Sequence, residues 1–167
     1  ITGFEALARW LHPLHGTIAP NTFLPILEET GLLERLGEVM LFNALTALKA
    51  WDAAGCEIPR VGINASQSEL RNPRLVDKIR WELDRFDLTP ERLSIEILET
   101  VVSDTPDDLV SRNIAGLSSI GCRIDLDDFG TGNASISSLR RFQVSCIKID
   151  RSFVAKADRD PQQQQMI

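Results

Sequence analysis

The sequence predicts an α/β fold in which parallel strands alternate with helices and close into a barrel. The first observation is that short apolar runs typical of strands alternate with segments whose apolar residues recur at helical spacing. The second is that each strand candidate carries a polar residue on the face opposite its apolar residues. An open sheet covered by helices on both faces would be apolar on both. The strand ends of a barrel, in contrast, converge on one polar mouth.

Five strands are predicted, and they follow one another at intervals suited to βα units. Their segments are ITGFEAL (1–7), RVGINAS (60–66), LSIEILE (93–99), CRIDLDD (122–128) and SCIKID (145–150). Period-2 alternation places one polar side chain of each strand on the same, inner face of the sheet. These residues are Glu5, Asn64, Glu96, Asp127 and Lys148, with Asp128 next along the chain. The sequence therefore predicts one polar cluster at the barrel mouth.

Three apolar stripes at helical spacing predict helices between the strands. They are Leu41, Ala44, Leu45, Leu48 and Trp51; Leu75, Ile79, Leu83 and Phe86; and Leu109, Ile114, Leu117 and Ile120. Helix ends are expected at Gly31, Gly55 and Gly121, and helix starts at Asn21 and Asp107. WLHPLHG (10–16) is expected to be a loop, and the glutamines at 162–165 are expected to open a further helix.

Composition narrows the class of protein. The chain has 167 residues, 43% of them hydrophobic, and is interpreted as one domain over residues 1–167. A formal net charge of −6 and the absence of a Lys/Arg tract argue against a long nucleic-acid partner. No apolar run is long enough to span a bilayer. Three cysteines without metal-ligand spacing indicate a reducing, cytoplasmic location, whether or not the parent protein is anchored in a membrane.

The polar cluster has the composition of a site for hard cations. Several carboxylates and an amide oxygen, without histidine or thiolate, suit Mg²⁺ or Mn²⁺, and such ions would offset the repulsion among the acids. Adjacent Asp127 and Asp128 could serve two ions, as in enzymes that attack phosphoryl centres in line. Lys148 could neutralise developing charge or orient a water. The alternative is a set of salt-bridged acids at strand ends, which is favoured for any one residue but not for five at matched positions.

Five motifs in order resemble those of one family. They are GFEALARW (3–10), VGINASQSEL (61–70), LSIEILET (93–100), IDLDDFGTG (124–132) and IKIDRSFV (147–154). From Gly3 to Val154 the chain resembles EAL-domain cyclic di-GMP phosphodiesterases, with Glu5-Ala6-Leu7 as the naming tripeptide. The resemblance implies a modified, TIM-like (β/α)8 barrel with one antiparallel strand. It also implies hydrolysis of the bacterial second messenger cyclic di-GMP to linear pGpG with two Mg²⁺ or Mn²⁺ ions, and inhibition by Ca²⁺.

The resemblance further implies roles for individual residues. Ligands of a first metal ion would be Glu5, Asn64, Glu96 and Asp127, and a second ion would be held by Asp127 and Asp128. Lys148 would lie near the attacking water, and Leu7 and Arg9 would contact the substrate. Asp150 would reach a guanine edge or, equally, cap the turn before Arg151. Glu99 would steady the loop from Phe129 to Ser135, in which Gly130 and Gly132 permit a strained backbone. Through that loop the family implies a homodimer.

Three substitutions and the length depart from the family pattern. Leu98 stands at a usual threonine, Asn133 at a usual tyrosine, and Asp125 at a usual small apolar residue. Asp125 is interpreted either as a further acid behind the metal ligands or as a buried neutral carboxyl. A complete barrel needs about 250 residues. The first strand and the last strands, which carry a further metal-site glutamate and a glutamine, are therefore expected outside this chain.

The departures leave a second function open. The alternative to the enzyme is a catalytically inactive receptor or regulatory module that binds cyclic di-GMP. The parent protein is expected to carry fused sensor or GGDEF-type domains.

Overall fold

A computed structural model of the chain describes residues 1–103, 108–131 and 136–155. Its strands are β1 (Phe4–Ala6), β2 (Trp10–His12), β3 (Gly16–Ile18), β4 (Val61–Asn64), β5 (Leu93–Leu98), β6 (Arg123–Phe129) and β7 (Cys146–Ile149). Its helices are α1 (Pro20–Glu29), α2 (Leu33–Ala53), α3 (Gln67–Leu70), α4 (Leu75–Arg85), α5 (Glu99–Ser103), α6 (Asp108–Ser119), α7 (Ile136–Arg141) and α8 (Arg151–Val154). A 3-10 turn (Pro90–Arg92) leads into β5.

Five strands form one sheet in the order β1-β4-β5-β6-β7, and every pairing in it is parallel. These are the five strands that the sequence predicts, with ends shifted by up to three residues. Each connection between neighbours passes through at least one helix, as parallel pairing requires. The remaining two strands, β2 and β3, form a separate antiparallel pair.

The sheet is curled rather than flat. β1 and β7 lie at its two edges, four strand positions apart, which in a flat sheet corresponds to about 19 Å. Yet Lys148 Nζ of β7 lies 3.0 Å from Glu5 Oε2 of β1. The two edges therefore face each other across a concave inner surface. The predicted α/β barrel-type fold is confirmed, as the part of a barrel that this sheet and its helices build.

The convex face of the sheet packs against the predicted helical stripes and forms the core. Buried members include Ile63, Ile95, Ile97, Ile124 and Leu126 of the sheet and Leu45, Leu48, Ile79, Leu83, Ile114 and Leu117 of the helices. Each fully buried Leu or Ile side chain contributes about 1.5–3 kcal/mol of hydrophobic free energy. Among the described residues, none of the helices combines the length and apolar character needed to cross a membrane.

The structure corrects two details of the region before β4. WLHPLHG is not a plain loop, because it contains β2 and the start of β3. In the turn between these strands, His12 Nδ1 accepts hydrogen bonds from the backbone N–H groups of Leu14 and His15. α1 begins at Pro20, with Ala19 as its N-cap, rather than after Asn21. Asp107 and the glutamines at 162–165 lie outside the described residues.

Candidate active site

The inner face of the sheet carries the polar residues that strand alternation predicts. Asn64 is in register with Glu96, and Glu96 with Asp125. Asp127 is in register with Leu98, two residues beyond Glu96. Because residues in register on parallel strands point to the same face, these side chains lie in successive rows along one concave surface. The strands thereby bring residues from distant parts of the chain to one place.

Three carboxylates converge at the centre of this surface. One oxygen from each of Glu5, Glu96 and Asp127 lies within 4.8 Å of the others. Asn64 Nδ2 donates a hydrogen bond of 2.9 Å to Glu5 Oε1. No hydrogen bond to Asn64 Oδ1 is found within the described ranges, so this oxygen is available to a cation.

A single lysine bridges two of the acids. Lys148 Nζ donates to Glu5 Oε2 at 3.0 Å and forms an ion pair with Glu96 Oε2 at 2.5 Å. In the part of the chain that the structure describes, neither Asp127 nor Asp128 has an ion-pair partner. The cluster therefore carries more negative charge than its lysine offsets.

The pKa values of the cluster reflect this imbalance. Burial raises the pKa of Glu96 to about 7. The hydrogen bond and positive charge of Lys148 lower this pKa but do not cancel the effect of burial, and the negative charge of Glu5 raises the pKa further. Burial also raises the pKa of Glu5, but hydrogen bonds from Lys148 and Asn64 outweigh it, so the pKa lies below its ordinary value. The pKa of Asp128 is raised by burial and by the charges of Asp127 and Asp150.

The surroundings of Glu96 fit a bound cation. Its side chain is buried, only 3% exposed, and its Oε2 faces the Lys148 ammonium, so this carboxylate already holds one cationic group. The other oxygen, Oε1, occupies space beside Gly62 of β4, where a Cβ atom would lie 2.3 Å from it. Gly62 therefore acts as a cradle for this carboxylate, and the oxygen-only donor set is the one that Mg²⁺ or Mn²⁺ prefers.

The end of β6 has a strained backbone at Asp128. The pairing of β6 with β7 shifts register between Leu126 and Phe129, and Asp128 has a φ of 54°, which is uncommon for a residue other than glycine. Gly130 follows with a φ of 102°, and its N–H donates to Glu99 Oε2 at 2.7 Å. Strain of this kind persists only where the surroundings hold it and often occurs at functional sites. Gly132 and Asn133 lie outside the described residues.

Asp125 lies below the cluster and is buried. Its Oδ2 accepts a hydrogen bond from Ser94 Oγ, and its Oδ1 is buried with no hydrogen-bond partner among the described residues. Its strand partners are Glu96 on one side and Cys146 on the other. Asp125 thus faces inward like the acids above it, but it is not one of the three convergent carboxylates.

A cleft of about 830 Å³ opens over the acids. Glu5, Asn64, Asp127 and Asp128 line its floor, together with Leu7 and Leu98. Its opposite wall comes from α1 and α2, including Asn21, Leu24, Glu28 and Met40. Alternation along strands does not predict this wall, because it says nothing about where a helix after a hairpin will lie. Gly62 was also missed, although a glycine at the parity of Asn64 was a usable signal for a close approach.

Two expected substrate contacts do not line this cleft. Arg9 Nη1 donates to Ala8 O, and Arg9 lines a separate, mostly apolar cavity of about 760 Å³ with Phe4, Trp10 and Trp51. Asp150 accepts from the Ser152 N–H at 2.8 Å and caps α8, as its alternative interpretation predicted. Of the three proposed substrate-binding residues, Leu7 is the one that lines the cleft together with the acids.

The arrangement defines a class of protein: an α/β barrel-type domain with an oxygen-rich, acidic site at the carboxyl ends of its parallel strands. The chain belongs to the family described as "EAL domain", whose profile matches residues 1–167. The sequence-based identification is therefore confirmed.

Named relatives support the same assignment. The chain is 41% identical over 160 residues to an "uncharacterized signaling protein" of Caulobacter vibrioides, covering 95% of this chain and 19% of the relative. It is 39% identical over 159 residues to the "bifunctional diguanylate cyclase/cyclic di-GMP phosphodiesterase MucR" of Pseudomonas aeruginosa, covering 95% of this chain and 23% of the relative. The chain therefore spans about a fifth of the length of these relatives.

A solved structure supports the same family assignment. The structure "PaMucR Phosphodiesterase, c-di-GMP complex" superimposes with a TM-score of 0.89 at 36% identity, covering 97% of this chain and 65% of that one. Relatives of this family thus include a phosphodiesterase that binds cyclic di-GMP.

Proposed function

We propose that this domain hydrolyses cyclic di-GMP to linear pGpG with the help of Mg²⁺ or Mn²⁺. The observation that carries the proposal is the convergence of Glu5, Glu96 and Asp127 within 4.8 Å, beside Lys148. Of these acids, Glu5 and Asp127 line the floor of an open cleft. The names of MucR and its cyclic di-GMP complex support the choice of substrate. The excess negative charge of the cluster supports the choice of a cationic cofactor.

Each residue of the cluster has a role in this proposal. Glu5, Asn64, Glu96 and Asp127 would hold one ion, and Asp127 and Asp128 would contribute to holding a second. When bound, such ions would supply charge stabilisation at the phosphate and would make a water more acidic. The protein orients the phosphodiester over the strand ends, and Lys148 donates hydrogen bonds to the water or to the developing phosphoryl charge.

The bonds that change are those of an ordinary hydrolysis. The water oxygen forms a bond to one phosphorus while the bond from that phosphorus to the ribose 3′ oxygen breaks. The water gives up one proton, the departing 3′ oxygen takes up one proton and leaves as a hydroxyl, and the phosphate stays esterified to the 5′ oxygen. The linear dinucleotide pGpG is the result.

The wider assembly is part of the same proposal. We assign the parent protein further sensor or GGDEF-type domains, because the matched relatives are about five times longer than the matched region. We also assign it a homodimer contact through the loop after Asp128 and a location where cyclic di-GMP is available, in the cytoplasm.

Product analysis tests the proposal. The protein is incubated with cyclic di-GMP and Mg²⁺, and nucleotides are separated by anion-exchange chromatography. Glu5→Ala is expected to abolish pGpG formation with little change in the melting temperature, because Glu5 is exposed at the cleft. Glu57→Ala, which removes an exposed acid outside the cleft, is the matched control and is expected to retain full activity. Unaltered turnover by Glu5→Ala would contradict the assigned metal site.

The receptor alternative gives a different result in the same assay. A receptor would bind cyclic di-GMP, as equilibrium dialysis can measure, and return it uncut in Mg²⁺ or Mn²⁺.

A further inference from the structure

Glu69 of α3 is an acidic residue that lines the cleft but does not touch the acid cluster. It is half-buried, and burial raises the pKa of its carboxyl above the ordinary value. Its carboxylate forms hydrogen bonds with Ser66 and lies against the backbone of α2. An ionisable group in this position needs a reason, because desolvation of the charged form costs free energy.

The first contact of Glu69 is with the turn that follows β4. Glu69 Oε2 accepts from the Ser66 N–H at 2.8 Å and from Ser66 Oγ at 2.6 Å, and Ser66 Oγ accepts in turn from the Glu69 N–H at 3.3 Å. This is a capping box, which satisfies donors at both ends of the motif. Ser66 lies two residues after Asn64, and Ala65 between them donates its N–H to Glu96 O at 2.9 Å. The turn that carries Asn64 is thus fixed on one side by Glu96 and on the other by Glu69.

The second contact of Glu69 is with α2, at Gly37. A Cβ atom on Gly37 would lie 1.6 Å from Glu69 Oε1 and 2.7 Å from Glu69 Cδ. The carboxylate therefore fills the space that a side chain at position 37 would need. Gly37, Leu36 and Met40 of α2 line the same cleft as Asn64 and Asp127.

We propose that Glu69 is a positioning residue that holds the turn directly after Asn64 against α2. It thereby fixes the position of Asn64 relative to the opposite wall of the cleft. The inference rests on the proposed function, since it assigns Asn64 to a bound cation. Glu69 itself touches neither cation nor substrate. Residues that orient metal ligands in this way affect metal affinity about 10–100-fold when they are replaced.

The test measures Mn²⁺ affinity of the protein by electron paramagnetic resonance. Glu69→Ala and Gly37→Ala are each expected to weaken Mn²⁺ binding about 10-fold. In the double variant, Gly37→Ala is expected to add no further loss, because the new methyl group occupies the space that Glu69→Ala vacates. Coupling of this kind is the signature of two residues that act through one contact. Glu69→Gln, which keeps an oxygen acceptor for Ser66, is expected to bind Mn²⁺ nearly as the unmodified protein does.

A matched control separates positioning from general destabilisation. Gly116→Ala in α6 would place a Cβ atom 2.8 Å from Val76 Cγ2, away from the cleft. It is expected to lower the melting temperature without changing Mn²⁺ affinity. If Gly37→Ala behaves in the same way as Gly116→Ala, the positioning role is wrong.

Hydrogen exchange distinguishes failure of this inference from failure of the proposed function. An unmodified protein that binds no Mn²⁺ would contradict the proposed function. Exchange at the Ser66 and Glu69 amides then still decides whether the contact locks the turn. Faster exchange in Gly37→Ala supports the lock, and unchanged exchange overturns it.

Discussion

A methyl group added to Gly62 would occupy space that the Glu96 carboxylate now fills. The new Cβ atom would lie 2.3 Å from Glu96 Oε1 and 3.1 Å from its Cδ. An ordinary contact between such atoms is about 3.5 Å, so the carboxylate must move by about 1 Å. Backbone on both sides of Gly62 is held by pairing with β1 and β5, which leaves the Glu96 side chain as the part that yields.

The expected effect of Gly62→Ala is large for activity and moderate for stability. A displacement of about 1 Å in a catalytic site costs roughly 100-fold in rate, which corresponds to about 2.7 kcal/mol of transition-state free energy. A weakened Mn²⁺ affinity of 10-fold or more should accompany it, because Glu96 is assigned as a ligand. The ion pair between Glu96 and Lys148 would change as well.

The assay is kcat/KM for pGpG formation over a range of Mn²⁺ concentrations, with Gly116→Ala as the control for a tight glycine outside the cleft. The control should remain within about twofold of the unmodified protein. A Gly62→Ala variant with unmodified kcat/KM and Mn²⁺ affinity would show that the site does not depend on where the Glu96 carboxylate lies, contrary to this prediction.

Three further predictions follow from the site and the core. Ca²⁺ in place of Mg²⁺ should support cyclic di-GMP binding without cleavage, because its longer and less regular coordination misplaces the water; rapid pGpG formation in Ca²⁺ alone would oppose this. Burial raises the pKa of Cys122 to about 12, so at pH 8.5 iodoacetamide should label exposed Cys56 well before Cys122 by mass spectrometry, and equal rates would contradict the buried placement. The raised pKa of Glu69 means that the native state binds the proton more tightly than the unfolded chain. The free energy of urea unfolding of the unmodified protein, compared with that of Glu69→Gln, should therefore fall as the pH rises from about 4.5 through that raised pKa. An increase in this difference over the same pH range would contradict a raised pKa for Glu69.

The strands and their inner faces could be predicted because alternation is a property of the extended backbone itself. Once a strand is recognised around Glu96 or Asp127, the direction of each side chain follows from its position in the run. The same holds for the helical stripes, of which Leu48 and Leu117 are fully buried members. These features need no knowledge of tertiary contacts.

Features that depend on tertiary approach were not predictable in this way. β2 and β3 are three residues each and carry exposed side chains such as Leu11, so no burial pattern marks them. The direction of Arg9 depends on how the chain leaves β1 and enters that hairpin. The cradle at Gly62 depends on the distance between β4 and β5 at a single point. Strand alternation predicted that the polar residues of the five strands would meet, but not the hairpin, the direction of Arg9 or the cradle at Gly62.

The proposed function requires that the convergent acids form a divalent-cation site at which cyclic di-GMP is hydrolysed. The most direct measurement removes metal from the protein with EDTA, adds cyclic di-GMP, and follows pGpG before and after Mn²⁺ is restored. We predict no pGpG before the addition and steady formation after it. The Glu96→Gln variant should form no pGpG at either stage. Equal pGpG formation without metal, or bound but intact cyclic di-GMP after Mn²⁺ is restored, would contradict the account.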